Sequence, residues 1–275
     1  MRAEFLEYMP GLLDAVEELF LYAPPYAAED IAGLLAEWPE RSLVALARGG
    51  AVGVAAHTPN EGGRASTSVF VHPEYRLCGV GRALMERMLG SMRNEGVHTA
   101  YTDFAGDGPA PFVEKLGFEH RYDSRFMRYR GDIPELSYDM LPYEDHMFFE
   151  AVELRSNAFA PLRKSIGTVP AKIAPDAALR EYMAERADSI YVYMEEGRIS
   201  GVATADMGEV DGVAVREDRR GRGIGRKLVE HGIALLHSRS QNATLWVVEG
   251  NPALSLYERI GFYTDRVHHF YVKAL

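Results

Sequence analysis

The sequence predicts a mixed α/β fold that occurs twice along the chain. Periodic apolar residues give each half the same order of strand, two helices, three strands, helix, strand, short helix and strand. Residues 76–81 and 220–225 both read Arg-x-x-Gly-x-Gly, and a Gly-Phe pair after an aliphatic residue recurs at 116–118 and 260–262. Because both motifs recur 144 residues apart, we interpret the chain as a tandem repeat.

The first half begins with a predicted strand at 4–8 and two amphipathic helices at 11–20 and 28–35. Two strands follow at 42–48 and 51–58, joined by Gly49-Gly50, a pair typical of a tight hairpin. The remaining elements are a strand at 65–71, a helix at 80–94, a strand at 99–104, a short helix near 111–115 and an edge strand at 125–130.

The second half repeats this order after a turn at 131–134, where we place the boundary between domains 1–130 and 131–275. Its predicted helices lie at 145–159, 176–185, 224–238 and 253–259. Its predicted strands lie at 136–140, 190–195, 198–206, 209–215, 244–248 and 268–273.

Composition excludes several classes of protein. The chain has 275 residues, 47% of them hydrophobic and 25% charged, which indicates an ordered globular protein. Its net charge of −10 argues against a nucleic-acid-binding module, and no apolar run is long enough for a membrane span. Cys78 is the single cysteine, so no internal disulfide forms. We expect a cytoplasmic protein with no metal, nucleic-acid or membrane partner.

The glycine-rich segment after the strand at 209–215 has the chemistry of a phosphate cradle. Gly221, Gly223 and Gly225 let the backbone approach a ligand, and the N–H groups that open the next helix attract an anion. A Walker A loop and a dinucleotide loop are both excluded, because each needs a glycine where Arg226 stands. What remains is Arg220-x-x-Gly223-x-Gly225 directly after an apolar strand.

This motif resembles the coenzyme A loop of the GNAT acyltransferases, and the segment from Asn251 to Phe262 resembles their second signature. The resemblance covers nearly all of both halves and implies acetyl-CoA as cosubstrate. It assigns Asn251 to the pantetheine arm or to the ordering of its segment, and Tyr257 to protonation of the leaving thiol. The other residues that it assigns to the coenzyme are Val213, Ala214, Val215, Arg220, Gly221, Arg222, Gly223, Ile224, Gly225 and Arg226.

The general base is left open among three acids and an ordered water molecule. Glu209 and Asp211 share one face of the strand that leads into the loop, and Glu249 ends the following strand. In the first half the loop is kept, but the repeat places Asp107 and Val113 where the second half has Asn251 and Tyr257. Valine cannot donate a proton, so we expect the first domain to be catalytically degenerate.

The sequence therefore predicts an N-acetyltransferase of the GNAT type that transfers an acetyl group to a primary amine in a ternary complex. The acceptor is a small molecule or a peptide, and the segment at 156–175, with Arg155, Arg163 and Lys164 at its border, is expected to select it. The alternative is a non-catalytic acyl-CoA-binding or sensing module. A monomer and a homodimer are both compatible with the repeat.

Overall fold

The computed structural model describes residues 3–136, 138–168 and 170–275, and the chain forms two compact units. Unit 1 extends to Arg121 and also includes His269–Leu275, whereas unit 2 consists of Tyr122–His268. Each unit contains a mixed sheet and helices, which confirms the predicted fold class. Among the described residues, no helix has the length and apolar character needed to cross a bilayer.

Unit 1 contains the elements that precede Arg121. Its helices are α1 (Leu13–Phe20), α2 (Pro25–Glu37), α3 (Val80–Asn94) and α4 (Ala110–Lys115). Its strands are β1 (Glu4–Glu7), β2 (Ser42–Ala47), β3 (Gly50–His57), β4 (Arg64–Val71) and β5 (Thr99–Ala105). Each of the strands β1, β2 and β3 pairs antiparallel with the next strand in the chain, and β5 pairs parallel with β4.

Unit 2 repeats the arrangement. Its strands are β6 (Glu119–Tyr129), β7 (Leu141–Pro142), β8 (Ile190–Glu195), β9 (Arg198–Asp206), β10 (Glu209–Val215), β11 (Thr244–Val248) and the first part of β12 (Phe262–Ala274). Its helices are α5 (Phe148–Ser165), α6 (Ala177–Glu185), α7 (Ile224–Ser238) and α8 (Leu254–Ile260). The strands β7 to β10 pair antiparallel in chain order.

The helices α3 and α7 show the repeat most clearly. Each has 15 residues and begins directly after a glycine with positive φ, Gly79 or Gly223. Their buried residues occupy the same six positions 144 residues apart, at the spacing of one face of a helix. These residues are Val80, Leu84, Met85, Met88, Leu89 and Met92 in α3, and Ile224, Leu228, Val229, Gly232, Ile233 and Leu236 in α7.

A glycine in the sheet brings the first turn of each helix close to the strands. A Cβ on Gly201 would lie 2.9 Å from Ile224 Cγ2 and 2.8 Å from Leu228 Cδ1. In unit 1, a Cβ on Gly53 would be equally close to Leu84 Cδ1, at 2.9 Å. Because no side chain intervenes, the first turns of each helix pack closely on β9 or β3, the strand that pairs with the one leading into the helix.

Alternation along the strands of unit 2 separates two apolar layers. Tyr191, Ala203 and Val210 pack with α7 in one cluster of buried residues. Val192 and Val202 pack in a second cluster that contains the buried face of α5. The helices α5 and α7 therefore cover opposite faces of this sheet and leave the end of β10 between them.

Strand exchange makes the units differ from a simple division at Gly131. The strand β6 comes from the first half, yet Ser124–Arg128 pair antiparallel with Val248–Thr244 of unit 2. The end of β12, from His269 onward, lies beside β5 in unit 1. The prediction of an edge strand at 125–130 was therefore wrong, because β6 lies between β12 and β11 in the sheet.

Two further predictions need correction. The strand expected at 136–140 is replaced by a two-residue strand at Leu141–Pro142, with Ser137 outside the described residues. The helix expected at 145–159 begins with a separate 3-10 turn, and α5 then continues through Pro161 to Ser165. The first ten residues of the segment at 156–175, which was expected to select the acceptor, are therefore helical.

Candidate active site

The backbone between β10 and α7 forms an open cradle. Gly221 and Gly223 have φ values of 76° and 82°, and a Cβ on either would meet no atom of the described residues within 4 Å. Among the described residues, no side chain caps the first turn of α7, so its N–H groups face outward. Arg220 lies beside them and donates from Nε to the Val215 carbonyl at 3.4 Å. An anion would meet both the helix dipole and a guanidinium here.

The neighbouring arginines contribute unequally to this positive charge. Arg226 forms an ion pair with Glu230 at 2.7 Å, and Arg219 is paired with Glu196. Arg220 and Arg222 are exposed at the cradle. The charge available for a ligand therefore comes mainly from these two residues.

A cavity of about 650 Å³ extends from the cradle along α5. Val215 and Arg216 of the β10 end line one side of it, and Pro161 lines the α5 side. Lys164 and Lys172 add further positive charge, opposed by Glu217. The cavity is large enough for a flexible ligand arm and suits one that carries phosphate groups.

A β-bulge interrupts β10 before it reaches the cradle. Asp211 pairs with Thr204 and Ala214 with Val202, so Gly212 and Val213 both lie opposite one residue of β9. Gly212 has a φ of 61°. Within the described residues, the parallel ladder between β10 and β11 is limited to Glu209 and Thr244. On the edge of β10 that faces β11, backbone groups beyond that pair are therefore left available to a ligand.

Glu209 lies at the start of this opening and is half-buried. Burial, together with the negative charge of Asp211, raises the pKa of the Glu209 carboxyl to about 7. A carboxyl group with such a pKa is half-ionised near neutral pH, which suits a general base. Asp211 itself is exposed on the same face of the strand.

Tyr257 lies on α8 and is buried against the α7 side of the sheet. Burial, and to a smaller extent the charge of Asp211, raises the pKa of the Tyr257 phenol to about 12. The phenol therefore keeps its proton throughout the neutral range. The common influence of Asp211 on Glu209 and Tyr257 indicates that β10 brings both groups into one electrostatic environment.

Glu249 and Asn251 have structural partners. Arg125 binds both carboxylate oxygens of Glu249, at 2.5 and 3.1 Å, and this pairing holds the pKa of Glu249 below its usual value. The Asn251 side chain accepts a hydrogen bond from the Ala253 N–H at 2.9 Å, at the turn that leads into α8. Asn251 thus orders the segment that carries Tyr257, which is one of the two roles expected of it.

Sequence reasoning missed the bulge and its contact with Arg155. The Arg155 guanidinium rests on Gly212, where a Cβ would lie 2.2 Å from Nη2, and it donates a hydrogen bond to Thr204. The isolated glycine in a strand pattern is the signal that would have indicated the bulge. No comparable signal marks Arg155, because its burial depends on how α5 packs on the sheet.

Unit 1 repeats the cradle but not the rest of the site. Arg76 donates from Nε to the Val71 carbonyl at 3.1 Å, as Arg220 does to Val215, and Leu77 adopts a φ of 61° at the position of Gly221. The β3–β4 pairing is regular from Gly53 to His57, without a bulge. The repeat places the buried residues Ala65 and Val113 at the positions of Glu209 and Tyr257.

The family model for the acetyltransferase (GNAT) domain matches residues 38–120 and 186–264, together more than half of the chain. The chain belongs to the GNAT acetyltransferases. The match in two regions confirms the predicted family and the tandem arrangement of GNAT domains. It also supports an acyltransferase enzyme as the class of protein.

Similar proteins agree with this assignment. A mycothiol acetyltransferase of Pseudarthrobacter chlorophenolicus is 27% identical over 89% of this chain and 76% of its own length. Mycothiol acetyltransferases of two Rhodococcus species are 44% identical, but the match covers only 20% of their length and 22% of this chain.

Two solved structures share the fold. A GCN5-related N-acetyltransferase of Sphaerobacter thermophilus has a TM-score of 0.76 and 19% identity, covering 98% of this chain and 95% of its own. A tandem GNAT protein from the clavulanic acid biosynthesis pathway has a TM-score of 0.67 and 20% identity, covering 99% and 98%.

Proposed function

We propose that unit 2 transfers an acetyl group from acetyl-CoA to a primary amine by direct attack in a ternary complex. The observation that carries this proposal is the bulge in β10. The Glu209 carboxyl group, with a pKa of about 7, lies at one end of this strand, and the anion cradle lies at the other. Both substrates would meet along this single strand, and proximity would supply much of the rate.

The residues of the cradle fit the phosphates of the coenzyme. Gly221 and Gly223 leave room for them, the first turn of α7 offers N–H groups, and Arg220 adds a charge. The pantetheine arm would follow the backbone of Val213, Ala214 and Val215, and the coenzyme would supply an activated thioester. Arg226 is a less direct ligand, because Glu230 already binds it.

Three groups of unit 2 would then act on the reacting atoms. Glu209 accepts a proton from the amine, directly or through a water molecule. The backbone N–H groups of Gly212 and Val213, which fall within the bulge, would stabilise negative charge on the carbonyl oxygen. Tyr257, still protonated at neutral pH, donates its proton to the departing sulfur. Glu249 is a weaker candidate for the base, since its ion pair favours a permanently ionised carboxylate.

Unit 1 is proposed to be catalytically silent. Alanine and valine stand where unit 2 has its base and acid, and β4 has no bulge. Its cradle is compatible with binding of a phosphate group without chemistry. Localisation in the cytoplasm and a monomeric or homodimeric state remain expectations.

The test is acceptor-dependent release of free thiol from acetyl-CoA, measured with amino acids, polyamines, aminoglycosides and short peptides. The relatives named mycothiol acetyltransferase add mycothiol without its acetyl group to this panel. We expect Tyr257→Phe to lower kcat about 10- to 100-fold, because the sulfur loses its proton donor. Its dissociation constant for acetyl-CoA, measured by calorimetry, should stay within about twofold of the wild-type value.

Undiminished turnover by Tyr257→Phe would reject tyrosine as the acid. Acetyl-CoA binding without thiol release for any acceptor would reject the transferase and favour the non-catalytic binding or sensing module.

A further inference from the structure

Two arginines of α5 carry buried N–H groups without hydrogen-bond partners in the part of the chain that the structure describes. They are Nε of Arg155 and Nη1 of Arg163. Arg155 uses Nη2 to bind Thr204 Oγ1 at 2.5 Å, and Arg163 stacks on Phe159 with its Cζ 5.6 Å from the ring centroid. Because a guanidinium keeps its charge, a buried N–H of this kind is costly until it meets an anion.

Arg155 contacts the reacting end of β10, and Arg163 lies within electrostatic reach of it. Arg155 covers Gly212 of the bulge, and Asp211 attracts both guanidinium groups. Burial lowers the pKa of each arginine, and repulsion from Arg163 lowers that of Arg155 further. Two cations thus share one neighbouring carboxylate, within two residues of Glu209.

We propose that Arg155 and Arg163 bind an anionic group of the acceptor, a carboxylate or a phosphate, that lies a few atoms from the amine. The acceptors are then amino acids and small amino-acid-like compounds, rather than polyamines or uncharged amines. This inference rests on the proposed function of unit 2. Arginine is suited to the role because its planar group binds carboxylate and phosphate through paired hydrogen bonds.

The same geometry gives each part of the acceptor a place. The amine approaches Glu209 and the bulge, forms the new N–C bond and gives up one proton to Glu209. The thioester C–S bond breaks, and Tyr257 protonates the sulfur. The arginines take no part in these bond changes and orient the acceptor through its anion.

The phosphates of the coenzyme are a less suitable occupant. Their cradle follows Val215, and three residues of extended strand, about 10 Å, separate Gly212 from Val215. The cradle and its cavity also have their own cations, Arg220, Lys164 and Lys172. The KM for acetyl-CoA in variants of these arginines therefore shows whether the arginines bind the phosphates of the coenzyme or the anionic group of the acceptor.

The first experiment compares matched acceptors. Glycine, β-alanine and L-glutamate are each tested beside their carboxamides, and O-phosphoethanolamine beside ethanolamine, at equal concentrations of free amine. We expect kcat/KM to be at least about tenfold higher for the anionic member of a pair. Equal or faster turnover of the neutral members would overturn the proposal, while turnover of any acceptor would leave the transferase itself standing.

The second experiment removes one charge. Arg163→Gln should raise the KM for the anionic acceptor at least about fivefold, abolish the preference within a pair and leave the KM for acetyl-CoA unchanged within about twofold. Arg163→Lys should recover part of the loss. Arg186→Gln, on a partly exposed arginine after α6, is the matched control. A rise in the KM for acetyl-CoA instead would assign these arginines to the coenzyme and contradict the proposal.

A binding measurement keeps the inference testable if no acceptor turns over, which would be a failure of the proposed function. Thermal unfolding is followed with N-acetylglycine, N-acetyl-L-glutamate and their amides. An increase in Tm with the acids alone, absent in Arg163→Gln, supports the anion site. No difference between acids and amides in the wild-type protein rejects it.

Discussion

The raised pKa of Glu209 affects both the stability of the fold and the reactivity of the carboxyl group. Its carboxyl group is half-buried and lies close to Asp211, so its charged form is destabilised in the folded protein. Yet a carboxyl with a pKa near 7 is a stronger base than an ordinary one, and still half-ionised at neutral pH. A cost in stability and a gain in reactivity are expected to have the same origin.

Glu209→Gln separates these effects. We expect kcat to fall about 100-fold or more, and the rise in kcat with pH around pH 7 to disappear, because the proton acceptor is lost. Initial rates of thiol release from pH 5.5 to 8.5 measure both changes. An unchanged pH profile would show that another group accepts the proton.

The pH dependence of the stability of Glu209→Gln provides a second, independent test of the raised pKa. The pKa of Glu209 is raised from its ordinary value of 4.5, because the folded protein favours the protonated carboxyl group. The stability that this protonated form contributes is fully present below pH 4.5 and is lost as the pH rises towards 7. Glutamine imitates the protonated form. Glu209→Gln should therefore match the wild type near pH 4.5 and exceed it by about 1 kcal/mol at pH 8, allowing for solvent screening. Urea unfolding at the two pH values tests this sign.

At the scale of residues, position along the strand that leads into the glycine loop made Glu209 a candidate base, and the resemblance to the GNAT family made Tyr257 the candidate acid. Both roles stay predictions. The difference between Glu209 and Glu249 could not be predicted, because Arg125 reaches Glu249 from a strand 124 residues away in the chain. Arg155 was assigned only to the border of an acceptor segment, since its contact with Gly212 depends on tertiary packing.

At the scale of elements, the bulge in β10 is the feature that distinguishes the two units. Its geometry depends on Gly212, which has positive φ and leaves no space for a Cβ beneath Arg155. A side chain at this position would both strain the backbone and displace the arginine.

Gly212→Ala should therefore destabilise the protein by about 2 kcal/mol or more and lower kcat at least about tenfold. Gly197→Ala is the matched control, because Gly197 has a similar φ of 75° but a Cβ there would have no atom within 4 Å in the part of the chain that the structure describes. It should lose about 1 kcal/mol and no activity. Urea unfolding and thiol release measure the two effects. Equal losses in both variants would mean that the bulge has no role beyond backbone strain.

The elements themselves were predictable to different degrees. The helix at 224–238 and the strands at 190–195, 198–206, 209–215 and 244–248 were predicted with the bounds that the structure has. Their residues have a clear period and end at glycine or polar turns. The strand at 141–142 was not predicted, because two residues are too few to show the alternation of a strand. Gly53 and Gly201 were also missed as contact points, since the helices that they admit are distant in sequence.

At the scale of the whole molecule, strand exchange separates the units from the halves of the sequence. Met127 of β6 is fully buried in the α7 core of unit 2, although it comes from the first half. The repeat of 144 residues indicates two similar folds, but it cannot reveal which copy of a strand completes which sheet. That choice depends on pairing between distant segments.

Each half alone should therefore fold poorly. A protein of residues 131–275 lacks β6 and exposes the edge of β11, so we expect aggregation or no cooperative unfolding transition. Co-expression with residues 1–130 should restore a soluble complex. Far-UV circular dichroism and urea unfolding test this, and a cooperative transition of 131–275 by itself would contradict the importance of the exchanged strand.

The central claim is that acetyl transfer occurs in unit 2 and not in the similar unit 1. The most direct measurement compares Arg220→Ala with Arg76→Ala, the matched arginines of the two cradles, in thiol release at varied acetyl-CoA. We expect Arg220→Ala to raise the KM for acetyl-CoA about tenfold or more, and Arg76→Ala to leave kcat and KM within about twofold of the wild type. The opposite result, with the loss in Arg76→Ala alone, would assign the chemistry to unit 1.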